Sequence, residues 1–278
     1  MPPLDPQRLL GLAIPDRQVA CDPRDFMLYA LAVGMGPDPA DLPFVYEKGL
    51  RALPSIATML TYDDSWIAPG GLDLATIVHG ALDLRFRGAL PVSGEVRVTS
   101  RICSLTDKGE GRGGLVNQVS EIHGPSGLLC VALSTLFARG AGGFGGSIGD
   151  QPSPPPLGDG PPADQVTVET ALNQAQIFRL LGDRNPLHVD PAVAQAVGFD
   201  RPILHGAASF GIACQTVLRR FCALDPARMT RFAARFAGPV YPGEALTFEF
   251  WPKPGAVAFR AVTARATVAL DQGYAEWS

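Results

Sequence analysis

The sequence predicts an α+β protein made of two copies of one unit, a sheet wrapped on a helix, in which the first copy lacks its long central helix. Three observations carry this. Runs rich in branched and apolar residues, often alternating with polar ones and bounded by turn residues, recur along the chain, the pattern of antiparallel strands. A Gly/Pro-rich stretch from Gly140 to Pro162, "GAGGFGGSIGDQPSPPPLGDGPP", has almost nothing to bury and divides the chain into halves of similar size. The halves also echo each other: "IVHGA" (Ile77 to Ala81) precedes "LPVSGEVRV", and "ILHGA" (Ile203 to Ala207) precedes "GPVYPGEALTF".

The expected units are a first half at 1–145, a linker at 146–163 and a second half at 164–278. In the first half "GALDLRFRGAL", "SGEVRVTSRICSL", "GLVNQVSEIHG" and "GLLCVALSTLFARG" read as strands. In the second, "VTVET", "TRFAARFAGPV", "EALTFEFWP" and "AVAFRAVTARATVAL" continue the strand-rich pattern, around helices at 171–181 and about 207–222. Spacing locates the asymmetry. Between His-Gly and Pro-Val lie 10 residues in the first half (81–90) and 32 in the second (207–238). The longer insert holds "AASFGIACQTVLRRFC", suited to a buried helix, whereas Leu82, Leu84 and Phe86 alternate with Asp83, Arg85 and Arg87 as in a strand. A lost core helix leaves room, and room lined by a sheet can hold an apolar ligand.

Composition narrows the class. With 23 basic and 27 acidic residues and a net charge of −4, the chain has no overall positive field for nucleic acid or an anionic membrane surface. Five widely spaced cysteines without a C-x-x-C pair read as reduced core thiols of a cytoplasmic protein. Neither a basic, apolar leader nor a run of about 18 apolar residues occurs, and "YAEWS" at the end is not a peroxisomal address.

The densest chemistry is "GDRNPLHVD", Gly182 to Asp190. "TALNQAQIFRLLG" before it fits a helix capped by Thr170, with Leu172, Ala175, Phe178 and Leu181 on one side and Gly182 ending it. Pro186 then forces Asn185 out of helical angles, so Asp183, Asn185 and His188 can converge in a tight turn. Asp with His can orient and deprotonate a water, and an Asn amide can hold it. The same residues equally suit a plain structural turn. Asp190 reads as the cap of a helical turn starting at Pro191. Metal binding is not expected: a calcium loop of this kind needs glycine sixth and an oxygen ligand fifth, where His188 and Leu187 stand. In "RPILHGAASFG", Gly206 opens the apolar helix, where unpaired N–H groups and the helix dipole favour developing negative charge; alternatively it merely permits close packing. His205 reads as structural. Lys108 and Arg219, Arg220, Arg228, Arg231 and Arg235 are candidate phosphate partners, with no choice among the arginines.

"FRLLGDRNPLHVDPAVAQAVGF" followed by "PILHGAASFGI" resembles the motif of the (R)-specific 2-enoyl-CoA hydratases, hydratase 2, of the MaoC-like hotdog group. The resemblance runs through "RDFMLYALAVGMG", "VYEKGLRALPSIATM", "IVHGALDL", "DKGEGRGGLV", "FARGAGGFGG" and "RFAGPVYPGEALTFEFW", and is similar in order to the two-hotdog hydratase domain of peroxisomal multifunctional enzyme type 2. It implies a double hotdog with one active site in the second half, and a first half whose missing helix accommodates the acyl chain. It implies that Asp183 and His188 act on water, that Asn185 helps place it, and that Gly206 supplies an oxyanion-hole N–H. His79, Gly80, Lys108 and Phe236 fall where the family lines the path of a coenzyme A thioester. The implied reaction is reversible hydration of trans-2-enoyl-CoA to (3R)-3-hydroxyacyl-CoA, without metal or separate cofactor, in a homodimer. Acyl-CoA thioesterase and a non-catalytic acyl-CoA-binding subunit are the alternatives, because a fold does not fix a function.

Overall fold

The computed structural model describes residues 2–153, 158 and 160–278. The first half comprises α1 (Pro6–Leu10), β1 (Arg17–Cys21), α2 (Pro23–Ala32), α3 (Leu42–Val45), α4 (Ala57–Leu60), β2 (Ile77–Phe86), β3 (Gly94–Asp107), β4 (Gly113–Gly124) and β5 (Gly127–Arg139). A two-residue strand, β6 (Ser147–Ile148), follows. The second half comprises β7 (Asp164–Glu169), α5 (Gln174–Phe178), α6 (Pro191–Ala196), α7 (Gly206–Phe221), β8 (Met229–Phe236), β9 (Ala245–Lys253), β10 (Ala256–Thr263) and β11 (Val268–Trp277).

All the strands join one sheet in the order β1-β3-β4-β5-β2-β8-β11-β10-β9-β7, with β6 paired to β3. The halves meet where β2 and β8 pair antiparallel, from Ala81 opposite Arg235 to Arg85 opposite Arg231. The sheet is therefore continuous through the seam; one apolar cluster spans both halves, and a second, with Leu9, Trp66, Leu105 and Val116, belongs to the first half.

The expected asymmetry is present. In the second half the His-Gly pair opens α7, whose residues Ala208 to Leu218 are all buried. Phe210 meets Phe232 of β8 edge-on, with centroids 4.8 Å apart, the favourable aromatic geometry. In the first half the corresponding "IVHGA" already lies in β2. The core there is not left empty as expected. A 3-10 turn at Pro54–Ile56 and α4 are buried in the same apolar cluster as Leu84, Cys130, Ala132 and Phe210, the turn touching α7 and α4 touching β5. A helix-sized void would forfeit its packing contacts, so short helical pieces fill much of it.

Three local expectations need correction. The helix expected over 171–181 is shorter: α5 starts after Asn173 and continues as a 3-10 turn over Arg179–Leu181. Thr170 does not cap it; its hydroxyl donates to the Glu244 carbonyl (2.8 Å) and accepts from the Gly243 N–H (2.9 Å), tying the loop before β9 to the end of β7. Leu172, expected on the apolar side, is 77 % exposed, because the helix starts after it. The strand-rich "AVAFRAVTARATVAL" holds β10 and the start of β11, turning after Thr263, with Ala266 at φ 59°. Within the Gly/Pro-rich stretch, Ser147 and Ile148 pair with Thr106 and Leu105. Its residues 154–157 and 159 lie outside the described residues.

Candidate active site

The turn after α5 is organised by its own side chains. Gly182 takes φ 127°, which ends the helical path as expected, and Asn185 is extended (φ −52°, ψ 122°), as the following proline requires. An Asp183 carboxylate oxygen accepts from the Asn185 N–H (3.2 Å), and the Asn185 side-chain oxygen accepts from Leu187 N–H (3.0 Å), capping a 3-10 turn over Pro186–His188. Asp190 caps α6 by accepting from Ala192 N–H at 2.8 Å, as its place before Pro191 predicts. The second carboxylate of the motif is thus spent on structure.

His188, only 8 % exposed, places Nδ1 2.9 Å from the Ile203 carbonyl oxygen. A carbonyl can only accept, so Nδ1 carries the proton and Nε2 is the basic nitrogen. His205, read from sequence as structural, stacks on His188 with ring centroids 3.7 Å apart. Its Nε2 donates to the backbone oxygen of Asp183 (3.2 Å), and Phe178 packs on it at 4.9 Å. Burial, and next the neighbouring His188, push His205 down to about 4; burial also lowers His188 and His79. The negative charge of Asp183 opposes this at all three rings, and its carboxylate lies beside those of His188 and His205. Tyr62, from the first half, has its phenol pushed up by burial and then by the same carboxylate.

Ligand atoms of Asp183, His188 and His205 lie within 4.8 Å of one another. Stacked rings offer their lone pairs in nearly parallel planes, so one metal ion would sit off both planes. The set is better arranged for proton transfer.

Gly206 begins α7, and among the described residues no side chain caps that end. The amides of Ala208 and Ser209 reach back to the His205 carbonyl, which leaves the Gly206 N–H among the unpaired donors of the first turn. The Phe236 ring covers Gly206, and a Cβ there would lie 3.3 Å from it.

Phe236 also belongs to the wall of a cavity of about 430 Å³ at the seam. The cavity wall includes an irregularity of the backbone. His79 opposes Leu136 and Ala81 opposes Thr135, so Gly80 is an extra residue in β2, a bulge at which pairing with β8 also stops. The cavity lies along both the bulge and the paired part of the seam, lined by Val78 to Asp83 of β2 and by Ala233 to Phe236 of β8. His79, Gly80, Lys108 and Phe236 all line it, together with Thr135. The His79 ring is open to the cavity while enclosed by protein, and its centroid is 6.1 Å from that of Phe236. The structure thus puts Asp183, Asn185 and His188 on one turn and Gly206 at the helix end; none of these four lines the cavity, whose wall residue Phe236 packs over Gly206.

Geometry also sorts the cations. Arg219 pairs with Asp38 and Asp41, Arg220 with Asp164, and Arg228 bonds the Ser278 backbone oxygen. Arg231 and Arg235 line the cavity but are paired with Asp83 and Asp271. Lys108 alone of the cations on this wall has no carboxylate partner among the described residues.

Comparison with known proteins covers both halves of the chain. The model of the MFE-2 hydratase 2 N-terminal domain matches residues 20–140, and that of the MaoC like domain matches residues 156–273. The 3-hydroxyacyl-thioester dehydratase Y of Mycobacterium tuberculosis is 37% identical over 91% of this chain and 92% of its own. The chain belongs to the MaoC-like hydratase 2 family. A probable enoyl-CoA hydratase 2 of Dictyostelium discoideum is 33% identical over 91% of this chain and 89% of its own. A crystal structure of a MaoC-like dehydratase from Phytophthora capsici superposes with a TM-score of 0.89 at 29% identity, covering 99% of each chain. The architecture is the double hotdog expected of a hydratase 2 relative. Sequence reading missed the stacking of His205 on His188; the repeated His-Gly pair was the pointer to it.

Proposed function

We propose that the protein reversibly hydrates trans-2-enoyl-CoA to (3R)-3-hydroxyacyl-CoA. The observation that carries this reading is the convergence of Asp183 and His188 beside His205, the residue before the helix end at Gly206, with Phe236, a wall residue of the cavity that the other expected residues line, packed over Gly206. The thioester carbonyl accepts from the Gly206 N–H, and the enoyl Cβ then faces a water held by Asp183 and His188. Asn185, whose oxygen is committed to Leu187, offers that water its amide N–H. Hydroxide adds to Cβ and one proton to Cα on the same face, so the water's atoms all enter the product. As negative charge spreads onto the thioester oxygen, the Gly206 N–H and the α7 dipole stabilise it. Asp183 and His188 act as a coupled acid–base pair. No separate cofactor is required, since coenzyme A travels with the substrate. A homodimer in the cytoplasm is the associated proposal, and light scattering on the purified chain tests the assembly.

The deciding experiment offers trans-2-enoyl-CoA of several chain lengths and follows enoyl absorbance, free thiol and product chirality. Loss of absorbance with (3R) product and no thiol is expected. An (S) product, or release of free coenzyme A thiol, overturns the reading in favour of another hydratase class or of thioester hydrolysis.

A further inference from the structure

The start of the Gly/Pro-rich stretch is held against the β3–β4 turn by one carboxylate. One oxygen of Asp107 accepts from the N–H groups of Gly109 (2.7 Å) and Gly143 (2.8 Å), and the other from Gly145 (2.8 Å) and Gly146 (3.5 Å). These bonds, that from Gly143 foremost, hold its carboxyl down to about 2. The two backbones touch: a Cβ at Gly142 would collide with the carbonyl oxygens of Gly109 and Gly113. A second tie follows. The Gln151 amide donates to Leu105 O (3.1 Å) and Ile148 O (3.0 Å) and accepts from the Thr106 hydroxyl, and the next residues, Pro152 and Ser153, line the seam cavity. Lys108, adjacent to Asp107, has its N–H bonded to Gly113 O (3.0 Å) and its side chain on the same wall.

We propose that Asp107 is a positioning residue for Lys108: by clamping the glycine stretch onto the β3–β4 turn, it holds the Lys108 ammonium at the cavity for a phosphate of the coenzyme A moiety. This rests on the substrate class proposed above. A fixed ammonium meets a phosphate as a charge-assisted contact, whereas a loose one must first be ordered. The unpaired state of Lys108 beside paired Arg231 and Arg235 makes it the cation on this wall free to accept an anion.

Calorimetric titration of the full chain with coenzyme A, 3′-dephospho-coenzyme A and pantetheine tests this. Asp107→Asn should weaken coenzyme A binding about tenfold, the scale of one charge-assisted contact, and leave pantetheine binding unchanged. A response limited to the 3′-phosphate or shared by both phosphate-bearing ligands tells which phosphate Lys108 meets. In a Lys108→Ala background the same change should add nothing, since the effect passes through Lys108. With enoyl-CoA as substrate, KM should rise and kcat stay within about twofold. Wild-type affinity in Asp107→Asn, equal weakening of pantetheine, or full additivity with Lys108→Ala overturns the proposal. Failure of the wild type to bind coenzyme A strikes the substrate reading instead. If Asp107→Asn does not fold, Gln151→Ala, which loosens the same segment, carries the same expectations and the same refutation.

Discussion

His188 and His205 stack with their ring centroids 3.7 Å apart and an interplanar angle of 27°. Each ring is also tied to a backbone carbonyl, His188 to Ile203 and His205 to Asp183. The stack therefore joins the turn bearing the acid–base pair to the residue just before α7. Replacing His205 by Phe keeps the ring and removes the bond to Asp183. Hydration by His205→Phe should fall by roughly tenfold in kcat with little change in KM, the pattern of lost transition-state positioning. Steady-state kinetics check it, and an unchanged kcat refutes it.

Asp183→Asn and His188→Gln should each fold and lose at least about a hundredfold in turnover, the usual contribution of general acid–base help. Thermal melts matching wild type, with activity assayed on the same samples, separate chemistry from folding. Near-wild-type turnover in either variant rules out the proposed pair.

Acid should destabilise the native state through the histidines. A free imidazole titrates near 6.5, and in the fold burial and His188 push His205 to about 4. The native state thus prefers neutral His205: this stabilisation is complete above about 6.5 and is lost as pH falls towards about 4, at most about 3 kcal/mol. His205→Phe should flatten the decline of melting temperature between pH 7 and 4. Identical pH profiles for variant and wild type contradict it.

A methyl group at Gly206 would press on Phe236 at 3.3 Å while leaving the N–H in place. Gly206→Ala should cost about tenfold in kcat/KM, on the scale of slight misplacement of reacting groups. Adding Phe236→Leu, which relieves the contact, should recover part of the loss. A double variant worse than Gly206→Ala by the full effect of Phe236→Leu alone argues against a steric origin.

What was legible in the sequence was local. Gly182 ending a helical path, Pro186 extending Asn185 and Asp190 capping α6 each depend on neighbours within a few residues, and all three occur. The missing helix could be read because a strand alternates and a helix does not. The part Thr170 plays is not legible locally because its partners, Gly243 and Glu244, are remote in the chain. The bulge at Gly80 arises from pairing with β5, and the role of Asp107 from glycines more than thirty residues on, so neither leaves a local trace. His205 has no evident partner in the sequence; only the fold lays it on His188.

The β2–β8 seam has a consequence for symmetry. Two identical subunits paired in this way must change together, since any residue lost from one is lost from both. Two copies joined in one chain meet at a high, fixed effective concentration and escape that rule. One half can then surrender a helix while the other keeps it to anchor Gly206, and the divided labour is inherited as a single chain.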